Sequence, residues 1–299
     1  MKSSYLLLCL FVMLMFIKPL RLWALPIESD TALTLGFESN VLRSFVRMTK
    51  KTGRFKEGKA ISDPENRKVT IYNTPLILPV RLSPSLIFTV VAPLLKIESQ
   101  KTSAGLRQKN SSSGVGDLQL SFKKAFFKKD GLKKTMRLAW KAAIKLPTGD
   151  ENLSPALGSG SVDFIVGGLL SYIDKRFAMH HDLSYKINSK AHGLRVGNII
   201  KHNVAFEYRV LPERFKSIED TTLNLILELN SRSQARSKSG GQILANTGGT
   251  RLFLSPGFQV IAGPRLILEG LFQYPVIQEL NGTQLGVDYT ALLGFRYSF

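Results

Sequence analysis

The chain has few of the side chains on which chemical sites are usually built. Its 299 residues include one cysteine, four histidines, and 22 acidic residues against 41 lysines and arginines. The single cysteine, Cys9, lies in the N-terminal apolar stretch, so the rest of the chain has no disulfide, thiolate metal site or cysteine nucleophile. The histidines are isolated or form the neighbouring pair His180-His181, whose members point to opposite faces of a strand, and this is not metal-ligand spacing. We therefore predict no metal site and no cofactor.

Long apolar runs are also scarce. The main one, Tyr5 to Ile17, follows Lys2 and is shorter than the roughly 20 residues of a transmembrane helix. Trp23-Ala24 supplies a small residue for signal peptidase. The pattern predicts a signal peptide over residues 1–24 and a single domain over 25–299, with an uncleaved anchor as the alternative.

Acidic residues are too few to balance the bases. Three cations fall in the predicted signal, so 38 basic residues face 22 acidic ones in residues 25–299, a net charge of +16. Lipopolysaccharide around a barrel or anionic solutes inside it would explain this charge, and a solvated basic surface is the alternative. Aromatic residues lie on apolar strand faces rather than between cations, so nucleic acid is not an expected partner.

Apolar and polar residues alternate strictly in several segments of the chain, above all at its C-terminus. From Val287 to Phe299 every second residue is apolar, and the intervening face carries Asp288, Thr290, Gly294, Arg296 and Ser298. This suits a strand between hydrocarbon and a polar interior, although a soluble sandwich is the alternative. We predict that Phe295, Tyr297 and Phe299 form the insertion signal recognised by the barrel-assembly machinery.

Twelve segments share this alternation and are about as long as a membrane-spanning strand. The predicted strands are 31–47, 68–82, 85–98, 116–127, 134–146, 161–173, 177–188, 198–210, 221–231, 250–262, 265–277 and 287–299. Prolines at Pro75, Pro79 and Pro93 predict bends or poor pairing in two of them. The fold class is all-β: a transmembrane antiparallel barrel of about twelve strands in an up-and-down meander, preceded by a signal peptide.

Connection lengths support the barrel. Short turns alternate with connections of nine or more residues, as in outer-membrane barrels, with 211–220 the exception among the turns. A sandwich has no reason to maintain this alternation around the whole fold. The prediction places the protein in the outer membrane, surrounded by lipid and lipopolysaccharide.

One face of the strand from Lys134 to Leu146 carries Arg137, Lys141 and Lys145. Unpaired burial of three cations would cost several kcal/mol each, so this face has to meet water in a lumen. The same parity identifies the candidate lumen-lining residues: Lys123, Arg137, Lys141, Lys145, Lys201, Glu207, Arg209, Glu228, Glu269 and Arg296. They could fill the lumen as a paired network or line a narrow pore, and the sequence leaves both open.

No catalytic residues are predicted. His180, Asp182 and Ser184 alternate along one polar face, but residues spaced in this way on one strand stand side by side and do not converge as a triad requires. The protein is therefore not expected to be an enzyme.

Several short motifs carry a family resemblance: 145–150 with 158–163, Gly116-Asp117-Leu118, Val91-Ala92-Pro93 and 293–296. With them the chain, over roughly 33–299, resembles the outer-membrane barrels named for the meta-pathway of phenol degradation. The resemblance implies a barrel that transports small, often hydrophobic molecules, with no catalytic residues to carry over.

The leading functional hypothesis is an outer-membrane channel or facilitator for small hydrophobic or aromatic solutes. Apolar residues that share the lumen parity favour it: Ile165, Leu169, Ile226, Phe253, Ile267, Leu271 and Leu292. The alternatives are an anion-preferring porin for acidic solutes, and a structural or adhesive barrel that binds polyanions through its basic outer loops.

Overall fold

The structure is a computed structural model that describes residues 25–34, 40–103, 105–132, 134–217 and 219–299. The predicted signal peptide lies outside these described residues, so its cleavage stays a prediction. Among the described residues there is no helix long and apolar enough to cross a membrane.

Twelve strands form a closed antiparallel barrel. In chain order, the strands of the wall are β1 (Val41–Lys51), β4 (Lys68–Ser83), β5 (Leu86–Ser103), β7 (Gln119–Gly131), β8 (Lys134–Lys145), β9 (Asp163–Asp174), β10 (Phe177–Ile187), β13 (Ile199–Leu211), β14 (Thr222–Gln234), β17 (Gly249–Ala262), β18 (Leu266–Leu280) and β20 (Tyr289–Ser298). Each pairs with the next along the chain, and β20 pairs with β1 to close the ring. The prediction of a twelve-stranded up-and-down barrel is confirmed.

Alternation along each strand separates an outer apolar surface from a polar interior. In β14, Leu225, Leu227 and Leu229 are exposed on the outside, whereas Ile226 and Glu228 between them are buried. An outward apolar surface around a polar interior is typical of membrane barrels.

The closing pair of strands shows how side-chain size fixes the register. Phe45 on β1 lies directly opposite Gly294 on β20 and is buried against it. A Cβ on Gly294 would come within 2.3 Å of the Phe45 Cβ. The glycine therefore makes room for the aromatic ring that covers it.

The two ends of the barrel differ. The turn end carries the short connections β4–β5, β7–β8, β9–β10 and β17–β18, the longer β13–β14 connection, and the chain's C-terminus, and the loop end carries the long connections. These long connections contain two small sheets, one of β2 (Arg54–Lys56), β3 (Lys59–Ile61) and β19 (Thr283–Leu285), and one of β11 (Lys190–Ala191), β12 (Leu194–Arg195), β15 (Lys238–Ser239) and β16 (Gln242–Ile243). In outer-membrane barrels the short turns face the periplasm.

The connection predicted over 99–115 is not an open loop. Strand β5 continues to Ser103 and pairs with β6 (Leu106–Val115) in a hairpin that extends beyond the barrel wall. Its side chains are polar and mostly exposed, so the apolar alternation used for prediction ends before the hairpin does.

The prolines in β4 and β5 interrupt the pairing less than the sequence predicted. Pro75 lies opposite Pro93, and the β4–β5 ladder runs past both of them. The interruptions occur on the far sides: β1 and β4 lose register contact between Asn73 and Leu76, and β5 changes partner from β7 to β6 around Pro93. Proline removes one donor, so it disturbs the neighbour that would have accepted from it.

The first predicted strand, 31–47, is wrong at its N-terminal end. The wall begins at Val41, and residues 25–34 lie inside the barrel rather than in its wall. Residues 35–39 lie outside the described part of the chain. Alternation in the sequence continued past the true strand boundary because a segment packed in a half-polar lumen also alternates between apolar and polar contacts.

Candidate functional site: a plugged lumen

Residues 25–34, which we name the plug, enter the lumen from the turn end and return to it. The Leu25 N–H donates to Gln259 Oε1 (3.2 Å) near the turn-end part of β17, and Thr34 Oγ1 donates to the Pro84 carbonyl in the β4–β5 turn (2.9 Å). Between them, residues 28–30 reach side chains halfway along the barrel. The plug is therefore a loop whose apex points toward the loop end.

Glu228 is the main anchor of the plug. This fully buried carboxylate accepts the N–H groups of Ile27 (2.7 Å), Glu28 (3.0 Å) and Ser29 (2.8 Å), and also the Ser29 hydroxyl (2.6 Å). Asn230 Nδ2 donates to it from the next inward position of β14 (3.1 Å). Three consecutive backbone donors converging on one carboxylate fix the path of the apex.

Asp30 of the plug binds two lysines that face each other across the β7–β8 pair. Lys123 and Lys141 are directly opposite in register, and their Nζ atoms lie 3.1 and 3.2 Å from the two Asp30 carboxylate oxygens. Burial alone would raise the pKa of the Asp30 carboxyl, but the charges of Lys123 and Lys141 and the Thr31 N–H outweigh burial and hold that pKa well below its usual range. Lys141 also pairs with Asp182 at 3.2 Å.

The first residues of the plug are held by a second group of charges. Arg296 donates to the Pro26 carbonyl and Arg43 to the Ile27 carbonyl, each at 2.7 Å. Both guanidinium groups also pair with the fully buried Glu269 at 2.7 Å. This network neutralises Glu269 and orients two cations toward the plug backbone.

The plug packs against apolar side chains of the barrel's inner surface. Ile27 packs with Phe45, Ile226, Leu271 and Leu292 in one buried cluster. Ala32 packs with Ala139 and Leu169 in another. Residues that were predicted to favour passage of hydrophobic solutes therefore hold the plug in this state.

A cavity of about 510 Å³ remains beside the plug. One side is apolar and belongs largely to β4 and β5, with Ile77, Pro79, Ile87 and Val91. The rest of the lining is largely polar or charged and includes the following cations: Arg43, Lys123, Lys141, Lys186, Lys201, Arg232 and Arg296. The volume lies within the range of about 300–1,000 Å³ that is usual for small-molecule sites.

The remaining predicted lumen residues also point inward, but at the two ends. Arg137 lies 3.7 Å from Asp130 near the turn end, and the Arg209 guanidinium lies 4.2 Å from the Phe215 ring centroid. At the loop end, Lys145 pairs with Asp117 and Asp163. The ten predicted residues thus form several separate networks rather than one site.

Asp117 belongs to the network at the loop end. Burial would raise the pKa of its carboxyl, but hydrogen bonds from Lys145 and from the Gly149 and Ser159 N–H groups lower it below its usual range. The motif residues that supported the family resemblance therefore have a structural role: their hydrogen bonds to Asp117 join the β6–β7 connection to the β8–β9 connection.

Glu207 and His180 form a buried pair beneath the plug. Their Oε1 and Nε2 atoms are 3.6 Å apart, and His180 Nδ1 is 2.7 Å from Ser171 Oγ. Ser171 in turn accepts the Ala32 N–H of the plug (2.9 Å). The group is closed to solvent, and Asp182 and Ser184 do not join it, as the strand geometry predicted.

The plug and several lumen cations were not predicted from the sequence. Arg43 lies in the first predicted strand and Arg251 in the strand predicted over 250–262, but neither was among the predicted lumen residues, and Arg232 fell in a connection that was predicted as a loop. Strand register would have identified two of these cations. Lys201 lies opposite Arg232, and Arg232 lies opposite Arg251. Because cross-strand neighbours share a face, an inward Lys201 implies that all three side chains face inward.

The predicted insertion residues lie on the outer surface of β20 or at its end. Phe295 and Tyr297 are 37% and 39% exposed, respectively, while Thr290 and Arg296 on the other face are buried. Val287, which the alternation placed on the same outer face, is instead buried near the loop end.

The fold and the outer surface define this protein as an outer-membrane-type β-barrel. Residues 70–276 match the family model described as "Putative MetA-pathway of phenol degradation", and the chain belongs to that family. The family expectation is confirmed. No curated protein sequence matches the chain.

Among solved structures, the chain resembles the COG4313 outer membrane channel from Pseudomonas putida F1, with a TM-score of 0.72 at 12% identity, covering 92% of this chain and 100% of that one. It is more distantly similar to the transport unit of the autotransporter AIDA-I from Escherichia coli (TM-score 0.46, 10% identity, 89% and 92% covered). A third likeness is to the CymD monoaromatic hydrocarbon channel (TM-score 0.44, 7% identity, 88% and 89% covered). At these identities the first likeness supports the fold, and the other two carry no further argument.

Proposed function

We propose that the protein is an outer-membrane channel for small hydrophobic solutes, closed in this state by the plug. The observation that carries the proposal is a cavity of about 510 Å³ between the plug and the apolar face of β4 and β5. Apolar lining with a few convergent polar groups is the usual form of a small-molecule site. Membership of a family named for phenol degradation agrees with a solute of this kind.

The plug supports a gated rather than a permanently open channel. Its contacts are mostly hydrogen bonds and ion pairs to side chains, so it can leave the lumen without breaking the barrel's own strand pairing. The barrel wall closes on itself through β1 and β20, independently of residues 25–34. Opening then requires movement of one segment only.

Conductance in planar bilayers tests the channel. We expect brief or no openings from the folded chain and discrete, larger steps from a variant that lacks residues 25–34. A deletion variant that folds as a heat-modifiable barrel and still passes no current would overturn the proposal.

Uptake by whole cells tests the solute class, because intact lipopolysaccharide slows hydrophobic compounds. Cells that make the unmodified protein, or the matched surface variant Thr102→Trp in the β5–β6 hairpin, should accumulate labelled toluene faster than cells that make Thr89→Trp, which fills the cavity at a lining position. Equal uptake by all three would remove hydrophobic solutes from the proposal.

We further propose, as partners, the lipid and lipopolysaccharide around the apolar outer surface, and the barrel-assembly machinery through Phe295, Tyr297 and Phe299. No catalytic role is included, because Ser171 and His180 are closed off beneath the plug.

A further inference from the structure

Three cations form a continuous row across neighbouring strands at the loop end of the lumen. Lys201 on β13 lies directly opposite Arg232 on β14, which lies directly opposite Arg251 on β17. Like charges that face each other across a strand pair are destabilising. We name these three residues the cation row.

None of the three cations forms an ion pair within the part of the chain that the structure describes. Glu28, at the plug apex, is the carboxylate whose charge reaches Lys201 and Arg232, and none of the ion pairs among the described residues involves Arg251. Glu28 itself is already paired with Arg47. The neighbouring Lys51 on β1 adds a further positive charge beside Arg232 and Arg251.

Donor groups in this region also lack acceptors. The Nε atoms of Arg47 and Arg251 are buried and have no hydrogen-bond partner among the described residues. Lys201 and Arg232, in contrast, are exposed and line the cavity beside the plug. Buried donors are normally satisfied, which makes these two donors a sign of a missing acceptor.

A second pair of opposed cations in the same barrel shows what fits such an arrangement. Lys123 and Lys141 also face each other across a strand pair, and the carboxylate of Asp30 lies between them, 3.1 and 3.2 Å from their Nζ atoms. The plug thus supplies a carboxylate to one opposed pair and, through Glu28, approaches the other.

The proposed function places the apolar part of a solute in the cavity, whose lining includes Lys201 and Arg232 together with Ile77 and Val91. Resting on that function, we propose that the cation row binds the carboxylate of a small apolar organic acid, with the hydrocarbon part against β4 and β5. The bound carboxylate competes with Glu28 for the cations at the plug apex. Solute binding and release of the plug are then linked, because both carboxylates use the same positive charge.

Calorimetric titration of the folded full-length chain with benzoate tests the site, with benzyl alcohol as the uncharged probe and acetate as the probe without a ring. We expect benzoate to bind at least about tenfold more tightly than either, since one charge-assisted contact has about this effect. Arg232→Gln should weaken benzoate binding at least about tenfold, and Glu28→Gln should strengthen it. Lys109→Gln, on the exposed β6 hairpin outside the lumen, is the matched control and should have no effect.

Unchanged benzoate affinity in Arg232→Gln and in the double variant Lys201→Gln/Arg251→Gln would overturn the inference. Both variants remove repulsion between opposed cations, so loss of folding is not expected, and heat-modifiability checks it. Titration does not depend on permeation, so the two proposals fail separately. Benzoate binding without conductance would support the carboxylate site and refute the channel. Toluene uptake without benzoate binding would support the channel and refute the carboxylate site.

Discussion

Replacing Glu228 by glutamine is expected to release the plug. The carboxylate accepts four hydrogen bonds from residues 27–29, two at each oxygen. An amide turns one oxygen into a donor. In one orientation the Ile27 and Glu28 bonds are lost; in the other the Ser29 N–H bond and the Asn230 bond are lost, and the Ser29 hydroxyl turns to accept. The remaining bonds lose their charge. At about 1.5–3 kcal/mol for each charge-assisted bond, the docked plug becomes less stable by about 3–5 kcal/mol. This corresponds to a change of about 10²- to 4 × 10³-fold in the ratio of docked to released plug.

Cysteine labelling measures that ratio. The only native cysteine is Cys9, so Thr34→Cys in a Cys9→Ser background gives a single thiol at a plug position that is 3% exposed. Maleimide should label this thiol slowly with Glu228 present and about 10²-fold faster or more in Glu228→Gln. Glu213→Gln, a change at an exposed glutamate of the β13–β14 turn, is the matched control and should label slowly. Equal labelling rates in Glu228→Gln and the control would refute the assignment of Glu228 as the anchor.

Two further outcomes are expected. Because the pKa of docked Asp30 is lowered, its stabilisation of the plug is complete above the ordinary carboxyl pKa of about 4 and is lost as pH falls through the lowered value. Bilayer conductance that depends on Asp30 should therefore be constant from pH 7 to pH 5 and rise below about pH 4. The variant Asp30→Asn should be partly open at every pH. A rise in conductance above pH 5 that disappears in Asp30→Asn would contradict this. Leu293→Arg, on the outer surface of β20, should lower the free energy of unfolding in lipid vesicles by about 2–4 kcal/mol. Leu106→Arg, on the β6 hairpin, should change it little. Similar losses for both variants in urea titrations would contradict the assignment of Leu293, but not Leu106, to the bilayer-facing surface.

Residue alternation was sufficient to predict the barrel. The period of two in segments such as 134–146 and 287–299 assigns each side chain to one of two faces, and only a wall between hydrocarbon and a polar interior needs one face apolar and the other charged. The same parity placed Lys123, Lys141, Glu228, Glu269 and Arg296 inside, where the structure has them.

Whether that interior is open or filled was decided only by the tertiary structure. Lys141 and Lys123 belong to different strands, and Asp30 comes about 90 residues before Lys123, so their contact depends on how the chain returns into the barrel. The alternation of neighbouring residues contains no information about such long-range contacts. The plug also resembles a strand in sequence, because its residues alternate between apolar contacts and polar contacts with the lumen wall.

The cation row shows the same division. Sequence assigns Lys201 to the interior and places Arg251 in the strand predicted over 250–262, but Arg232 fell in a segment whose polar, glycine-containing composition predicts a loop. Cross-strand register aligns them in one row because antiparallel pairing fixes which residues are opposite. Charge and alternation therefore determined what kind of wall this chain forms, and strand register together with the returning N-terminal segment decided where its charges meet.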